Sequence, residues 1–200
     1  MRYPRQYKYT MPEDRHYIDD VIKNGSLRSY KALVDKYEKR VFTLCFKIIK
    51  NREEAEEVAQ DIFVSCFKKI GDLQNKNKFP NWLMKIAYSR AIDHVRKKKI
   101  IKVDIDEITE RVESKEHTPV QSAELNDRTE ILQAAIRRLE TVSATVITLY
   151  YIEDLPVKEI SEITNLSISN VKIRLFRART ELKGIIASLV KKDLDDFIDE

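Results

Sequence analysis

The chain has 200 residues, of which 35% are charged and only three are glycine, and its net charge is +4. Scarce glycine and long stretches of 3.6-residue hydrophobic periodicity predict an all-α protein with room for one or two domains. No apolar run approaches the ~20 residues of a membrane span, and the basic N-terminus lacks the apolar core of an export signal. We therefore expect a cytoplasmic protein without membrane insertion.

The sequence gives little support to an enzyme. It contains no glycine-rich phosphate loop and no metal-ligand spacing, and its three histidines are scattered along the chain. Cys45 and Cys66 lie within apolar helical patterns, where reduced core residues are expected rather than a metal-binding or redox pair. No cofactor is expected.

Charge divides the chain into four parts. Residues 1–99 contain 23 Lys and Arg against 13 Asp and Glu, and residues 128–192 contain 11 against 7. Residues 100–127 reverse this balance with 3 against 8, and five acids follow in residues 193–200. We predict two basic helical domains, 1–99 and 128–192, joined by a flexible acidic linker with a short helix at about 103–112. The acidic tail is expected to be solvated and frayed.

Three helices are predicted in the first domain before residue 71. Asp14 is a candidate N-cap of the first helix, and Gly25 ends it. Ser26 is expected to cap a second helix that runs to about residue 50. Asn51 caps a third helix, whose acidic first turn suits the helix dipole and whose stop is Gly71.

The third helix carries an acidic outer face. Its polar positions are Glu53, Glu56, Glu57, Gln60 and Asp61. Charge alone favours a solvated surface. Within a domain that is otherwise strongly basic, a protein-docking surface is the alternative interpretation.

A polar loop, GDLQNKNKF at residues 71–79, precedes a fourth helix opened by Pro80. Aromatic residues flank the start of this helix, and cations dominate its second half: Phe79, Trp82 and Tyr88, then Lys85, Arg90, Arg96, Lys97, Lys98 and Lys99. Such a helix can grip a nucleic-acid backbone and stack on exposed bases. The competing interpretation is a core Trp82 beside a lysine run that serves only solubility.

Residues 156–182, PVKEISEITNLSISNVKIRLFRARTEL, predict two helices joined by a tight turn. Pro156 suits a first helical turn, Asn165 can adopt the left-handed conformation of a helix end, and Ser167 is a good N-cap. An apolar stripe on the second helix is expected to face the core: Ile168, Val171, Leu175, Ala178 and Leu182.

The side opposite this stripe combines apolar and basic residues. It carries Ser169, Lys172, Ile173, Phe176 and Arg177, with Asn170, Arg174 and Arg179 at its edges. Such a face suits a DNA major groove, where apolar groups contact thymine methyls and flanking cations meet phosphates. The pattern favours a helix-turn-helix, with a basic amphipathic helix on a bundle as the alternative.

Three segments in this order resemble extracytoplasmic-function sigma factors of bacterial RNA polymerase. They are REEAEEVAQDIFVSCFKKI (52–70), FPNWLMKIAYSRAIDHVRKK (79–98) and VITLYYIEDLPVKEISEITNLSISNVKIRLFRARTEL (146–182). The resemblance covers roughly residues 17–189. It implies a region-2 domain at 1–99 and a region-4 domain at 128–192.

The resemblance assigns roles to the candidate residues. The acidic face of the third helix would dock on core RNA polymerase. The loop and fourth helix would open and read the minus-ten element of promoter DNA through Asn75, Lys76, Asn77, Lys78, Phe79, Trp82, Lys85, Tyr88, Arg90, Arg96 and Lys97. The outer face of the recognition helix, with Asn170, Arg174 and Arg179, would read the minus-thirty-five element. An anti-sigma factor is a further partner that the family leads us to expect.

Some positions depart from the family pattern. Leu139-Glu140 stands where members often have Leu-Pro, Asn165 replaces a usual glycine, and Ser169-Asn170 and Ile173 also differ. These departures concern the target sequence rather than the fold. A stand-alone helix-turn-helix regulator and a helical scaffold without DNA are the alternative functions. Transcription with core polymerase distinguishes all three.

Overall fold

A computed structural model describes residues 12–106 and 128–198, and within those ranges all regular structure is helical. The all-α prediction is confirmed there. The helices are α1 (Pro12–Asn24), α2 (Leu27–Ile49), α3 (Arg52–Lys69), α4 (Phe79–Asp106), α5 (Arg128–Arg138), α6 (Thr141–Ile147), α7 (Val157–Thr164) and α8 (Ile168–Ile198). No helix in the described ranges is long and apolar enough to cross a membrane.

Helices α1 to α4 pack around one apolar core. The most extensive contacts join α2 to α3 and to α4, and α1 packs against α2. Leu33, Leu44, Ile62 and Leu83 are almost completely buried at the centre. Cys45 and Cys66 are buried free thiols in this core, and burial raises the pKa of each to about 12.

The predicted caps of α2 and α3 are confirmed. Ser26 accepts a hydrogen bond from the backbone N–H of Ser29 at 3.3 Å, and Asn51 accepts one from Glu54 at 3.0 Å. Gly25 ends α1 in the left-handed conformation, with φ of 63°.

Asp14 has a different role from the predicted cap. Helix α1 begins before it, at Pro12, and the Asp14 side chain is fully buried. Its carboxylate accepts hydrogen bonds from Lys36 Nζ at 2.5 Å and from the Tyr37 hydroxyl at 2.6 Å. Periodicity could not reveal this role because both partners lie on the next helix.

The second half contains α5 to α8, with α8 packed on α5, α6 and α7. Glu140 caps α6, accepting from the N–H groups of Val142 and Ser143 at 3.1 and 3.2 Å. A π-helical turn, Thr148–Ile152, continues α6 and places Tyr150 and Tyr151 beside α8. The predicted stripe on α8 is buried except for Ile168, which is 47% exposed at the first position of the helix.

The two halves pack against each other. Helix α6 lies against α2, and α7 lies against α4. Arg40 on α2 forms a salt bridge with Glu153, and these side chains are only 18% and 7% exposed. Lys50 Nζ donates to the Leu139 carbonyl at 3.1 Å.

A buried lysine lies in the same interface. Lys47 is 5% exposed and donates to the Gln133 side chain. Burial, helped by the nearby charge of Arg137, lowers the pKa of Lys47 to about 8.

Two helices continue into segments that were predicted to be irregular. Helix α4 runs to Asp106, into the start of the predicted linker, and α8 runs to Ile198, through most of the predicted tail. The remaining linker residues, 107–127, lie outside the described residues, as does the second part of the helix predicted at 103–112.

Candidate nucleic-acid and polymerase interfaces

The turn between α7 and α8 has the geometry of a helix-turn-helix. Pro156 is the residue before α7, one position earlier than predicted, and Asn165 ends α7 at a φ of 56°. Ser161 Oγ donates to the Leu166 carbonyl at 2.6 Å, which closes the turn. Ser167 Oγ accepts from the N–H of Asn170 at 3.2 Å, so the predicted N-cap of α8 is confirmed.

The outer face of α8 is exposed as expected. Ile173 is 49% exposed and Phe176 is 69% exposed. Ser169, Lys172 and Arg177 are also exposed and lie on the same side of the helix. Apolar and basic groups therefore share one accessible strip, which provides both kinds of contact that a major groove accepts.

Arg174 at the edge of this face is engaged within the protein. Its Nη1 lies 3.2 Å from Glu140 Oε2, and its Nε donates to Asn170 Oδ1 at 3.1 Å. Arg174 is half-buried. Its guanidinium is held by two partners and is not presented as an unattached phosphate contact.

Arg179 is held by the π-helical turn. Its Nε donates to the Tyr151 hydroxyl at 2.7 Å, and its guanidinium lies 5.6 and 5.5 Å from the ring centres of Tyr150 and Tyr151. Both distances are within cation–π range. Helical periodicity does not relate these partners, because Tyr151 lies 28 positions before Arg179.

The predicted minus-ten loop is partly ordered by two short 3-10 turns, Ile70–Asp72 and Lys76–Lys78. Asn75 caps the second turn by accepting from Asn77 N at 3.0 Å. Lys76 forms a salt bridge with Asp19 of α1. Asn75, Asn77 and Lys78 have exposed side chains.

The two aromatic residues at the start of α4 differ in exposure. Phe79 is 1% exposed and packs edge-on against Tyr37, with ring centres 5.5 Å apart. Trp82 is half-buried and tilts over Phe79, with ring centres 6.0 Å apart. In this conformation part of the Trp82 ring is accessible, whereas Phe79 packs beside it in the core.

The remaining candidates on α4 are four exposed cations and the half-buried Tyr88. Lys85, Arg90 and Lys97 are exposed, as is Arg96, which pairs with Asp93 at 3.1 Å. Arg90 donates weakly to Ser65 Oγ at 3.3 Å. Burial raises the pKa of Tyr88, which lies near Arg174 and Glu140 of the second half.

A cleft of about 690 Å³ separates this region from α7. Its walls are Asp72, Leu73, Gln74, Asn75, Lys78, Asn81, Trp82 and Lys85 from the first half, with Glu162, Ile163 and Asn165 from the second. Lys78 and Glu162 face each other across it at 3.8 Å. The predicted minus-ten surface is thus turned toward the second half of the chain.

The acidic face of α3 points to solvent. Its five predicted residues, Glu53, Glu56, Glu57, Gln60 and Asp61, are all exposed. Val64 continues the same strip and is 55% exposed, so the face has an apolar end that charge patterning did not reveal. Glu54 is directed elsewhere and binds His94 at 2.7 Å and Lys98 at 2.6 Å, tying α3 to α4.

Family models match both halves. The model described as sigma-70 region 2 matches residues 33–100, and the one described as sigma-70, region 4 matches residues 129–182. ECF RNA polymerase sigma factor SigM of Bacillus subtilis (strain 168) is 31% identical over 150 residues, covering 74% of this chain and 90% of SigM. ECF RNA polymerase sigma factor SigW of the same organism is 29% identical over 176 residues, covering 84% and 94%.

Solved structures show the same fold. The sigma factor RpoE of Bartonella quintana, solved in complex with the anti-sigma factor NepR, superposes with a TM-score of 0.66 at 18% identity, covering 80% of this chain and 98% of RpoE. CnrH, solved with the cytosolic domain of CnrY, gives 0.62 at 19% identity, covering 88% and 98%. The two family models and the 31% identity to SigM confirm the predicted family, and the solved structures confirm its fold. The chain belongs to the sigma-70 family and is an RNA polymerase sigma factor of the extracytoplasmic-function type.

Proposed function

We propose that this sigma factor reads the upstream, minus-thirty-five element with the outer face of α8. The supporting observation is the exposure of Ile173 and Phe176 between cations on the second helix of a helix-turn-helix. Lys172 and Arg177 can donate to guanine, while the two apolar side chains contact thymine methyls. Ser169 and Asn170 lie in the first turn of α8, the part of such a helix that contacts base edges.

Arg174 and Arg179 are proposed to support α8 without reading bases. Both are bonded within the domain, Arg174 to Glu140 and Arg179 to Tyr151. They contribute positive charge near the DNA backbone while fixing α8 on the body of the second half. Positive charge of this kind attracts the DNA backbone without reading sequence.

We infer that the minus-ten element is opened on the first half, between the 70–78 segment and α4. Unstacking one base costs a few kcal/mol, and stacking on an aromatic side chain returns ~1–3 kcal/mol. Trp82 is the aromatic residue placed for this, with Phe79 supporting it and Tyr88 further along α4. Asn75, Lys76, Asn77 and Lys78 would contact the separated strand, and Lys85, Arg90, Arg96 and Lys97 its phosphates.

The acidic face of α3 is proposed to bind core RNA polymerase. It presents Glu53, Glu56, Glu57, Gln60 and Asp61, and among the described residues Arg52 pairs with Glu56 at 3.0 Å. Exposed Val64 at its end adds an apolar contact. An acidic strip ending in an exposed apolar residue suits a basic partner surface with a hydrophobic edge.

Promoter binding requires the two halves to separate. Elements centred 25 base pairs apart lie roughly 85 Å apart on B-DNA at 3.4 Å per pair. In the packed arrangement the predicted minus-ten surface borders α7 across one cleft, so the two halves lie much closer together than this. Residues 107–127 can span at most roughly 70 Å, so with the width of each half they are long enough to join both elements. We therefore assign residues 1–99 and 128–192 as the two DNA-binding domains and 100–127 as the linker.

The proposed site of action is the cytoplasm, where core polymerase and promoter DNA are present. RpoE was solved in complex with the anti-sigma factor NepR, and CnrH with the cytosolic domain of CnrY. An anti-sigma factor is proposed as a third partner of this chain on that basis. Co-purification of the tagged chain from its host, with and without an inducing stress, tests this proposal.

The polymerase assignment is tested by charge reversal on α3. Asp61→Lys should weaken binding to core polymerase at least tenfold and reduce promoter-specific transcripts in proportion. Glu38→Lys on exposed α2 is the matched control, since it makes the same charge change away from the face. Equal binding by both variants would contradict the assigned docking surface.

A further inference from the structure

Glu140 links the start of α6 to the recognition helix. Its carboxylate caps α6 through Val142 N and Ser143 N, and its Oε2 also lies 3.2 Å from Arg174 Nη1. Partial burial by itself favours the neutral acid, but the two backbone donors and the Arg174 charge hold the pKa of Glu140 below its usual value. Glu140 is therefore an anion that anchors Arg174 from outside α8.

Arg174 extends this link to Asn170. The guanidinium donates through Nε to Asn170 Oδ1 at 3.1 Å while Nη1 faces Glu140. Because a guanidinium can only donate, the amide oxygen of Asn170 must face Arg174. The Asn170 amide is thereby fixed in one of its two orientations, with its two Nδ2 protons left for other partners.

The fixed amide has a consequence for base reading. An asparagine that reads adenine uses its oxygen to accept from N6 and its nitrogen to donate to N7. At Asn170 the oxygen is turned toward Arg174, which uses one of its two lone pairs, whereas the nitrogen can donate to guanine O6 or N7 or to thymine O4. Orientation of this one amide therefore bears on which base is preferred.

We propose that Glu140 is a positioning residue for promoter specificity: through Arg174 it fixes the Asn170 amide and restrains Arg174 from binding a phosphate. This inference rests on the proposed reading of the upstream element by α8. Glu140 itself does not contact DNA. It acts only through the bonded series in which Glu140 contacts Arg174 and Arg174 contacts Asn170.

The test uses holoenzyme assembled from the full chain and core polymerase. The wild-type holoenzyme first selects a promoter from fragmented bacterial DNA, and each base pair of the upstream element is then varied. Glu140→Ser is the main variant, since serine is a good N-cap for α6 but is too short to reach Arg174. Glu181→Ser is the matched charge control, because it removes an exposed carboxylate from α8 by the same substitution.

Glu140→Ser is expected to shift the preference at one base pair toward adenine by about fivefold or more. Freed Arg174 can then neutralise one more phosphate, which should steepen the slope of log binding constant against log salt by about 0.9. Glu181→Ser should change neither quantity. In an Arg174→Ala background, Glu140→Ser should have no further effect on base preference.

Arg174→Lys provides a second variant if Glu140→Ser is unstable. Lysine keeps the charge but lacks the fork that bonds Glu140 and Asn170 together, so it should give the same shift at the same base pair. If the wild-type holoenzyme selects bases in the upstream element but neither variant changes that preference, the proposal for Glu140 is overturned and the assigned reading face stands. A wild-type holoenzyme that ignores the upstream element would overturn the assigned reading face as well.

Discussion

Arg40→Ala should open the interface between the two halves. Its removal leaves the Glu153 carboxylate, 7% exposed, without its salt-bridge partner in the interface. Breaking a buried ion pair costs about 3–5 kcal/mol. Because Arg40 retains 18% exposure, we take the lower figure, and about 3 kcal/mol corresponds to a shift of somewhat over a hundredfold in the closed–open equilibrium.

We expect the variant to relieve this destabilisation by separating its two halves, each of which remains folded. Each half has its own buried centre, Leu44 and Ile62 in the first and Leu149 and Ile160 in the second, and opening returns Glu153 to water. A compact chain of this length has a radius of gyration of about 17 Å. Two separated halves on a linker should raise it above about 20 Å.

Small-angle X-ray scattering of the free protein measures this change directly. The double variant Arg40→Glu with Glu153→Arg should restore the compact value by reversing the pair. Lys31→Ala is the control, because the Lys31–Asp35 pair is 73% and 56% exposed and such pairs contribute ~0–1 kcal/mol. If Arg40→Ala scatters like the wild type, this salt bridge does not hold the halves together.

Three further predictions follow from single side chains. Lys47→Met should raise the urea midpoint most below pH 8. Its stability gain over the wild type should shrink by about 1–2 kcal/mol by pH 10.5, because the depressed pKa of Lys47 makes wild-type stability rise with pH across that window. A stability gain that does not change with pH would contradict a buried charge at Lys47. Cys45 and Cys66 should resist iodoacetamide at pH 8 until the protein unfolds, since burial raises the pKa of both thiols to about 12; rapid native labelling by mass spectrometry would disprove this. Phe176→Ser should weaken binding to the upstream element while leaving the melting temperature nearly unchanged. Leu175→Ala removes a side chain that is 3% exposed and should cost about 2–5 kcal/mol of stability. Loss of stability in Phe176→Ser and loss of DNA binding alone in Leu175→Ala would contradict the assigned reading face of α8.

Local signals predicted the helices of the first half, the helix-turn-helix and most of their N-caps, whereas α4 and α8 end later than predicted. Ser26, Asn51, Asn165 and Ser167 act within four residues of their own position, so sequence spacing alone identifies them. The outer face of α8 follows from periodicity for the same reason. Composition and helical pattern therefore sufficed for the all-α fold and for the recognition helix.

Sequence patterns could not predict the contacts between elements that are distant along the chain. Arg40 and Glu153 are 113 residues apart, and Arg174 and Glu140 are 34 apart, so no periodicity relates them. Phe79 likewise appeared as an aromatic beside a polar loop, yet Tyr37 on α2 buries it in the core. Which cations meet DNA and which are bonded within the protein is a tertiary property.

Run-off transcription with purified core polymerase tests whether this chain directs promoter-specific initiation. Adding the full chain to core enzyme and fragmented bacterial DNA should produce transcripts with defined start points, each at a fixed spacing downstream of two shared sequence elements. Trp82→Ala should retain polymerase binding but reduce strand opening at the downstream element, seen as lost permanganate reactivity. A chain that binds duplex DNA yet gives no defined starts with core polymerase would contradict the account.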